Sequence, residues 1–465
     1  MHPFTPAIAA NRFGLGATPG ELARIAGDPR GWLDAQLPQP PPVLAEAGLQ
    51  RSDEIISQLL SLRRELRAAR MMPADSPAAA AAVMKLPQLY RPIYAAEVGA
   101  RFRQATTTER PFLERVTRFW TNHFAVSVDK AVVMGLAGAL EREAIRPNVL
   151  GTFTDLLLAV EQHPAMLLYL DNYLSAGPNS TSARRLERRG AARRAGINEN
   201  LAREAMELHT LGVGGGYTQQ DVTTFAQVIS GWSIGGEGGR FAGGAPGRFV
   251  FRPELHEPGA QTVLGKRYPG GGVEQGEAVF RDLATRPATA RFVATKLARH
   301  FVADDPPTGL ITRVAHAFSS SGGDLPTVYR ALTASPECWS EPLAKYKTPS
   351  DYIISAFRGL GLAAPQGRGA IASFDALGQR TYSPGSPAGW PDRSDDWNGA
   401  SALMKRIEWA DALGQRVGAR RDALALAPEL LGATLGTATR ATVAHASSAA
   451  QALTLLLVSP EFLRR

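Results

Sequence analysis

Apolar residues recur every three to four positions along most of this chain, and that spacing predicts helices. The stretch from Gly196 to Trp232, GINENLAREAMELHTLGVGGGYTQQDVTTFAQVISGW, predicts a helix, a glycine-rich turn and a second helix. At about 100° per residue, Leu201, Ala205, Leu208 and Gly212 fall within about 80° of Ile197, and Leu211 falls about 40° to its other side. Glu204 projects into the middle of this apolar stripe. Asn200 and Glu207 line its edge, and His209 sits on the opposite edge. A carboxylate in such a stripe is costly unless it is paired or protonated, so Glu204 needs a structural partner or a chemical purpose. Gly212 is a candidate C-cap, and Gly214 to Gly216 permit positive φ or a close approach to a ligand. Thr218 and Asp221 have capping-box spacing. Asp221 is thus read as a helix cap or, alternatively, as an ionised partner for Glu204.

Elsewhere the same spacing predicts helices over 91–105, over PFLERVTRFWTNHFAV from Pro111, over 152–160, and over 287–302, 324–335 and 348–362. In the second of these, Trp120 to Phe124 is either the floor of a pocket, with Asn122 and His123 as polar contacts, or plain core with a satisfied histidine. Asp171 and Asn172 end an apolar helix and are read as a cap or as a second pocket wall. Two short strands at 247–252 and 261–268, joined by PELHEPGA, predict a β-hairpin with His256 and Glu257 at its tip, inside a glycine-rich insertion over 233–272. Residues 175–196 hold six arginines (184, 185, 188, 189, 193 and 194) among Ser, Gly and Pro, and are expected to be a flexible loop. Residues 381–399, with Trp390 and Trp397 among several prolines, are expected to be an ordered loop lying over something. The fold class expected is mainly α, one large multi-helix unit over 1–465 with a small β-hairpin insertion around 247–268.

Composition narrows the function only slightly. The chain has 465 residues, 44% apolar and 20% charged, with a net charge of +8. That excess suits an anionic partner but is modest for the length, and no nucleic-acid motif accompanies it. One cysteine excludes an intrachain disulfide and a cysteine-based zinc site. No run of 18 apolar residues reads as a membrane span. Met1-His2-Pro3-Phe4 lacks the basic start and apolar run of a signal peptide, and the compartment is left open.

Longer motifs carry a resemblance. NENLAREAMELHTLGVGGGYTQQDV followed by ISGW is similar to the centre of the bacterial domain-of-unknown-function family numbered 1800. RFGLGATPGEL, RFWTNHFAVS at Arg118 to Ser127, HPAMLLYLDN at His163 to Asn172, HEPGAQTVLG, RPATARFVATKLARHFV, KYKTPSDYIISAFRGLG, YSPGSPAGWP and DDWNGASALMKR match in family order. The resemblance covers nearly the whole chain. It implies a mostly helical fold, supplies no reaction, and brings relatives that often carry export signals.

The chemistry must therefore come from side chains. G-x-S-x-G, HExxH, P-loop and strand-led GxGxxG patterns are absent. The first reading is a carboxylate-based acid/base hydrolase or related glycan-processing enzyme. In it Glu204 is a buried acid, with Glu207, Asp221, Asp171 and His209 as its partners. Trp120, Trp232, Trp390 and Trp397 would stack on sugars, and Asn122, His123 and Asn200 would make polar contacts with an anionic or neutral polysaccharide. The second is a non-enzymatic binding or assembly protein with Glu204 in a buried ion pair to an arginine such as Arg118 or Arg146. The third is a metal site drawn from His123, His163, His209, His256 and Glu204, although no two of these histidines have the i,i+4 spacing of a helical ligand pair. No cofactor is expected.

Overall fold

Proline and short polar caps decide where many helices begin. Pro111, Pro287 and Pro349 each open a helix at a position where a missing N–H costs nothing. Thr348 accepts the Asp351 N–H at the Pro349 start, and Asp324 accepts the Thr327 N–H at one further start, so both are closed by side chains. The computed structural model describes residues 5–44, 46–70, 77–188, 196–236, 243–340 and 343–465.

The architecture is mainly helical, with two small antiparallel ladders among the described residues. Pro287–Phe301, Thr308–Ser320 and Leu325–Ala334 pack one on the next, and Pro77–Thr107 packs on Ser52–Arg70, Pro349–Gly359 and Gly367–Ala376. Ala400–Val417 lies against Ala449–Leu457. One continuous apolar core runs through these groups, and a smaller cluster around Ala7, Ala10 and Ile25 packs beside it. No helix among the described residues is long and apolar enough to cross a membrane.

The β segment differs from the expected hairpin. Phe249–Phe251 pairs with Trp232–Ile234, in the register Trp232 to Phe251, and Gln261–Val263 pairs with Lys266–Tyr268. Two causes are visible. The first ladder brings Phe249 edge-on to the fully buried Trp232, which also stacks on Phe280 at 5.3 Å. In the second, Leu264 and Gly265 both take positive φ, the geometry of a two-residue hairpin turn. His256 and Glu257 are buried rather than at an exposed tip. Glu257 accepts from the backbone and side chain of Asn179, at 2.8 and 2.6 Å, and His256 Nδ1 meets the Ser230 carbonyl at 3.0 Å. Part of the stretch expected to be flexible is a helix, Thr181–Arg188, with Arg184, Arg185 and Arg188 exposed. Residues 189, 193 and 194 lie outside the described residues.

Candidate functional site

The Pro111–His123 helix divides its labour by face. Phe112, Leu113, Val116 and Trp120 are fully buried, and the Trp120 indole N–H donates to the Tyr329 hydroxyl at 2.7 Å. The last turn turns outward. Asn122 donates to the Trp390 carbonyl at 2.9 Å and accepts the Trp390 N–H at 2.8 Å. One side-chain amide thus stands in for a strand and clips the 381–399 loop over the helix end. Gly389, at φ 83°, lets this happen, because a Cβ there would strike the Asn122 carbonyl. At the other end, Asp304 accepts the Ser394 N–H and pairs with Lys345 at 2.5 Å, while Tyr346 N–H reaches Ser394 Oγ.

Between helix and loop lie two adjoining chambers that share Asn122, His300, Trp390, Pro391 and Asp392. The first, of about 100 Å³, is walled by Arg101, Arg115, Arg118, Ser350 and Gln379. The second, of about 260 Å³, adds Phe119, His123, Lys296 and Asp396.

At their junction His300 Nδ1 lies 3.2 Å from Asp392. Burial opposes ionisation of Asp392, but His300, Lys345 and Arg465 outweigh it and hold the carboxyl down at about 2. An ionised carboxylate only accepts, so Nδ1 carries the proton. The buried Nε2 has no partner and keeps its lone pair. Burial, against Asp392, pushes the His300 pKa below the usual imidazole value, so the ring is neutral at pH 7. His123 has the mirrored arrangement. Its Nε2 donates to the His209 carbonyl at 3.0 Å, and its buried Nδ1 is unpartnered. Burial, then Lys296 and His209, hold this ring well below the ordinary imidazole pKa. Burial, with Arg299 beside it and against Asp392, pushes the Lys296 ammonium down to about 8.

The comparisons place the chain. The family model described as Protein of unknown function (DUF1800) matches residues 8–464. The chain belongs to that family. No curated protein and no solved structure matches it.

In this DUF1800 member the residues expected to form the site separate into three places. Asn122, His123 and Trp390 line the cleft. Trp397 is buried behind it, 5.9 Å from the Trp390 ring, with its N–H on the Pro391 carbonyl. Trp120 and Trp232 are wholly inside the core and offer no face for a sugar.

Glu204, Glu207 and His209 form a second group that lines neither chamber, although the His209 carbonyl accepts from His123 of the second. Glu204 is half-buried and makes no ion pair or hydrogen bond among the described residues. Burial raises its pKa, His209 opposes this, and Glu207 adds to it. The expected arginine partner is absent: Arg146 pairs with Glu114 and Glu141 instead. At the regular pitch, five residues from Glu204 to His209 turn through about 140° net. Ala205–Thr210 instead forms a wide turn, in which Leu211 N–H reaches back five residues to Met206 O at 2.9 Å. In that turn the His209 Nδ1 lies 2.6 Å from the buried Glu161. Glu207 accepts from the Tyr217 hydroxyl at 3.3 Å.

The remaining residues are local. Asp221 completes the capping box with Thr218 and also accepts the Leu264 N–H at 2.6 Å, pinning the 261–268 hairpin. Asp171, at φ 58°, pairs with Lys130 at 2.7 Å, and Asn200 is exposed at its helix start. The residues of the metal reading do not come together. His163 faces Glu143 and His256 faces Ser230, and no group of three or more metal-ligating side chains forms among the described residues.

His300, Asp392 and Lys296 went unmarked in the sequence. RPATARFVATKLARHFV shows Lys296 and His300 four residues apart on one helix face, and the WPD of the loop shows an acid beside a tryptophan. Those two cues together were the signal available.

Proposed function

We propose that this chain is an acid/base enzyme of the glycan-processing kind, working in the cleft beneath the 381–399 loop. The observation that carries the reading is the Asp392–His300 pair at the junction of the two chambers. In this reading Asp392 holds the ring in one tautomer and His300 Nε2 accepts a proton from water as the water oxygen bonds to the sugar carbon. The glycosidic C–O bond breaks, and Lys296, protonated at neutral pH, gives its proton to the leaving oxygen. Trp390 supplies an aromatic face for a sugar ring.

Release of reducing ends from a panel of acidic and neutral oligosaccharides tests the reading. His300→Gln is expected to keep the fold and lose roughly 100-fold or more in kcat/KM. Glu204→Gln is expected to stay within about 3-fold of the parent. The reverse result moves the chemistry to Glu204, and no turnover in the parent retires the reading. The pH profile follows in sign. The base must be unprotonated, so kcat/KM rises to a plateau below the ordinary imidazole value near 6.5. The acid must be protonated, so kcat/KM falls as the pH passes about 8.

A second reading keeps the cleft for binding alone. Asp392 also faces Lys345 at 4.0 Å and Arg465 at 3.7 Å, contacts that serve a structural network whether or not His300 reacts. Binding without turnover in the same panel selects it.

A further inference from the structure

The cations that line the first chamber, and those just behind it, are mostly charge-matched, Arg380 with Asp375 at 3.5 Å among them. Arg101 pairs with Glu141 at 2.7 Å, and Arg146 binds both Glu141 and Glu114. Arg115 and Arg465 share Asp351, while Lys345 takes Asp304. Arg118 stands apart. It senses Glu114, Glu141 and Asp351, but each of those already has a nearer cation, and no carboxylate among the described residues lies within ion-pair distance of Arg118. One arm of its guanidinium donates to Ser350 Oγ, and the other, Nη1, is buried without a partner. A partly buried cation with one nitrogen shut away from water and from any acceptor is unfavourable unless an anion arrives.

The surroundings also await an acceptor. Ser350 Oγ accepts from Arg118, which leaves its own proton to donate. Gln379 Oε1 takes the Ser350 N–H at 2.7 Å, and its amide N–H2 has no partner among the described residues. At about 100 Å³ the chamber holds one group and not a whole ligand, since small-molecule pockets run from roughly 300 Å³ upward. The second chamber opens beside it.

We propose that this chamber is a receptor for a single carboxylate carried on a sugar ring that lies against Trp390. One unmatched positive charge fits a monoanion, and a planar guanidinium with flanking hydroxyl and amide donors fits a planar carboxylate. The sugar part of this proposal rests on the reading above, whereas the carboxylate part does not.

Titration calorimetry on the full chain with trigalacturonate, its methyl ester and inorganic sulfate tests it. The acid is expected to bind at least tenfold more tightly than the ester. Arg118→Gln is expected to reduce the acid to the level of the ester, and Arg118→Lys to retain an intermediate affinity. Equal binding of acid and ester, binding of neither, unchanged affinity in Arg118→Gln, or displacement of the acid by equimolar sulfate each overturns the receptor. If Arg118→Gln fails to fold, the contrast of acid and ester on the parent chain still decides. Acid-selective binding without turnover sinks the enzymatic reading and keeps the receptor. Turnover indifferent to the acid group does the opposite.

Discussion

Arg146 and Arg118 lie close to the same two carboxylates, Glu114 and Glu141, yet they belong to different kinds of region. Arg146 is enclosed, with four hydrogen bonds of 2.7–2.9 Å to those carboxylates. Arg118 borders a cavity, has one serine hydroxyl, and leaves a nitrogen bare. The first region spends its charges on the fold. The second leaves a charge available at the edge of a hollow. Among the arginines that line the first chamber, the informative one is therefore the one without a carboxylate partner.

The contrast can be broken in three ways, of descending size. Arg146→Met leaves Glu114 with no ion-pair partner and Glu141 with Arg101 alone, and should cost about 3–5 kcal/mol in urea unfolding at pH 7. Replacing Glu114 and Glu141 by Gln in the same variant should return much of that.

Acid comes next. Burial works against ionisation of Glu141, but Arg101, Arg146 and Arg118 outweigh it and hold its pKa well below the usual carboxylate range. A depressed folded-state pKa contributes stability above the unfolded value of about 4.3 and loses it as pH falls. Unfolding midpoints should therefore drop below about pH 4, and Glu141→Gln should flatten that slope. A slope unchanged in that variant would mean that other groups carry the acid sensitivity.

Smallest is Arg118→Gln without ligand, which should shift stability by no more than about 1 kcal/mol, because no close ion pair is broken. A loss as large as that of Arg146→Met would make Arg118 structural and erase the distinction between the two regions.

Much of the helical frame was legible, because proline starts and caps such as Thr218–Asp221 and Thr348 leave local marks. The strand pairing was not. Three-residue strands show no alternation, and the turn relies on Leu264 at positive φ, a residue seldom found there. For the candidate site, aromatic density around Asn122 and the tryptophans of 381–399 pointed to the helix end and the loop that enclose the two chambers. Lys296 and His300 remained hidden, and Arg118 was marked only as an ion-pair partner for Glu204, because a polar helix face reads the same whether it meets solvent or a hollow. Glu204 attracted notice for its place in an apolar stripe, and it does turn out half-buried with a raised pKa. Its stripe simply belongs to a different wall from the one that encloses the cleft.

The wide turn at Ala205–Thr210 has a consequence for how the chain tolerates change. It accommodates one more residue than a regular coil would, so the segments before and after it are out of step by a single position. Losing any one residue there would let the coil close up and rotate His209 away from Glu161, although neither side chain had been altered. Spacing, rather than composition, is the fragile property of that segment.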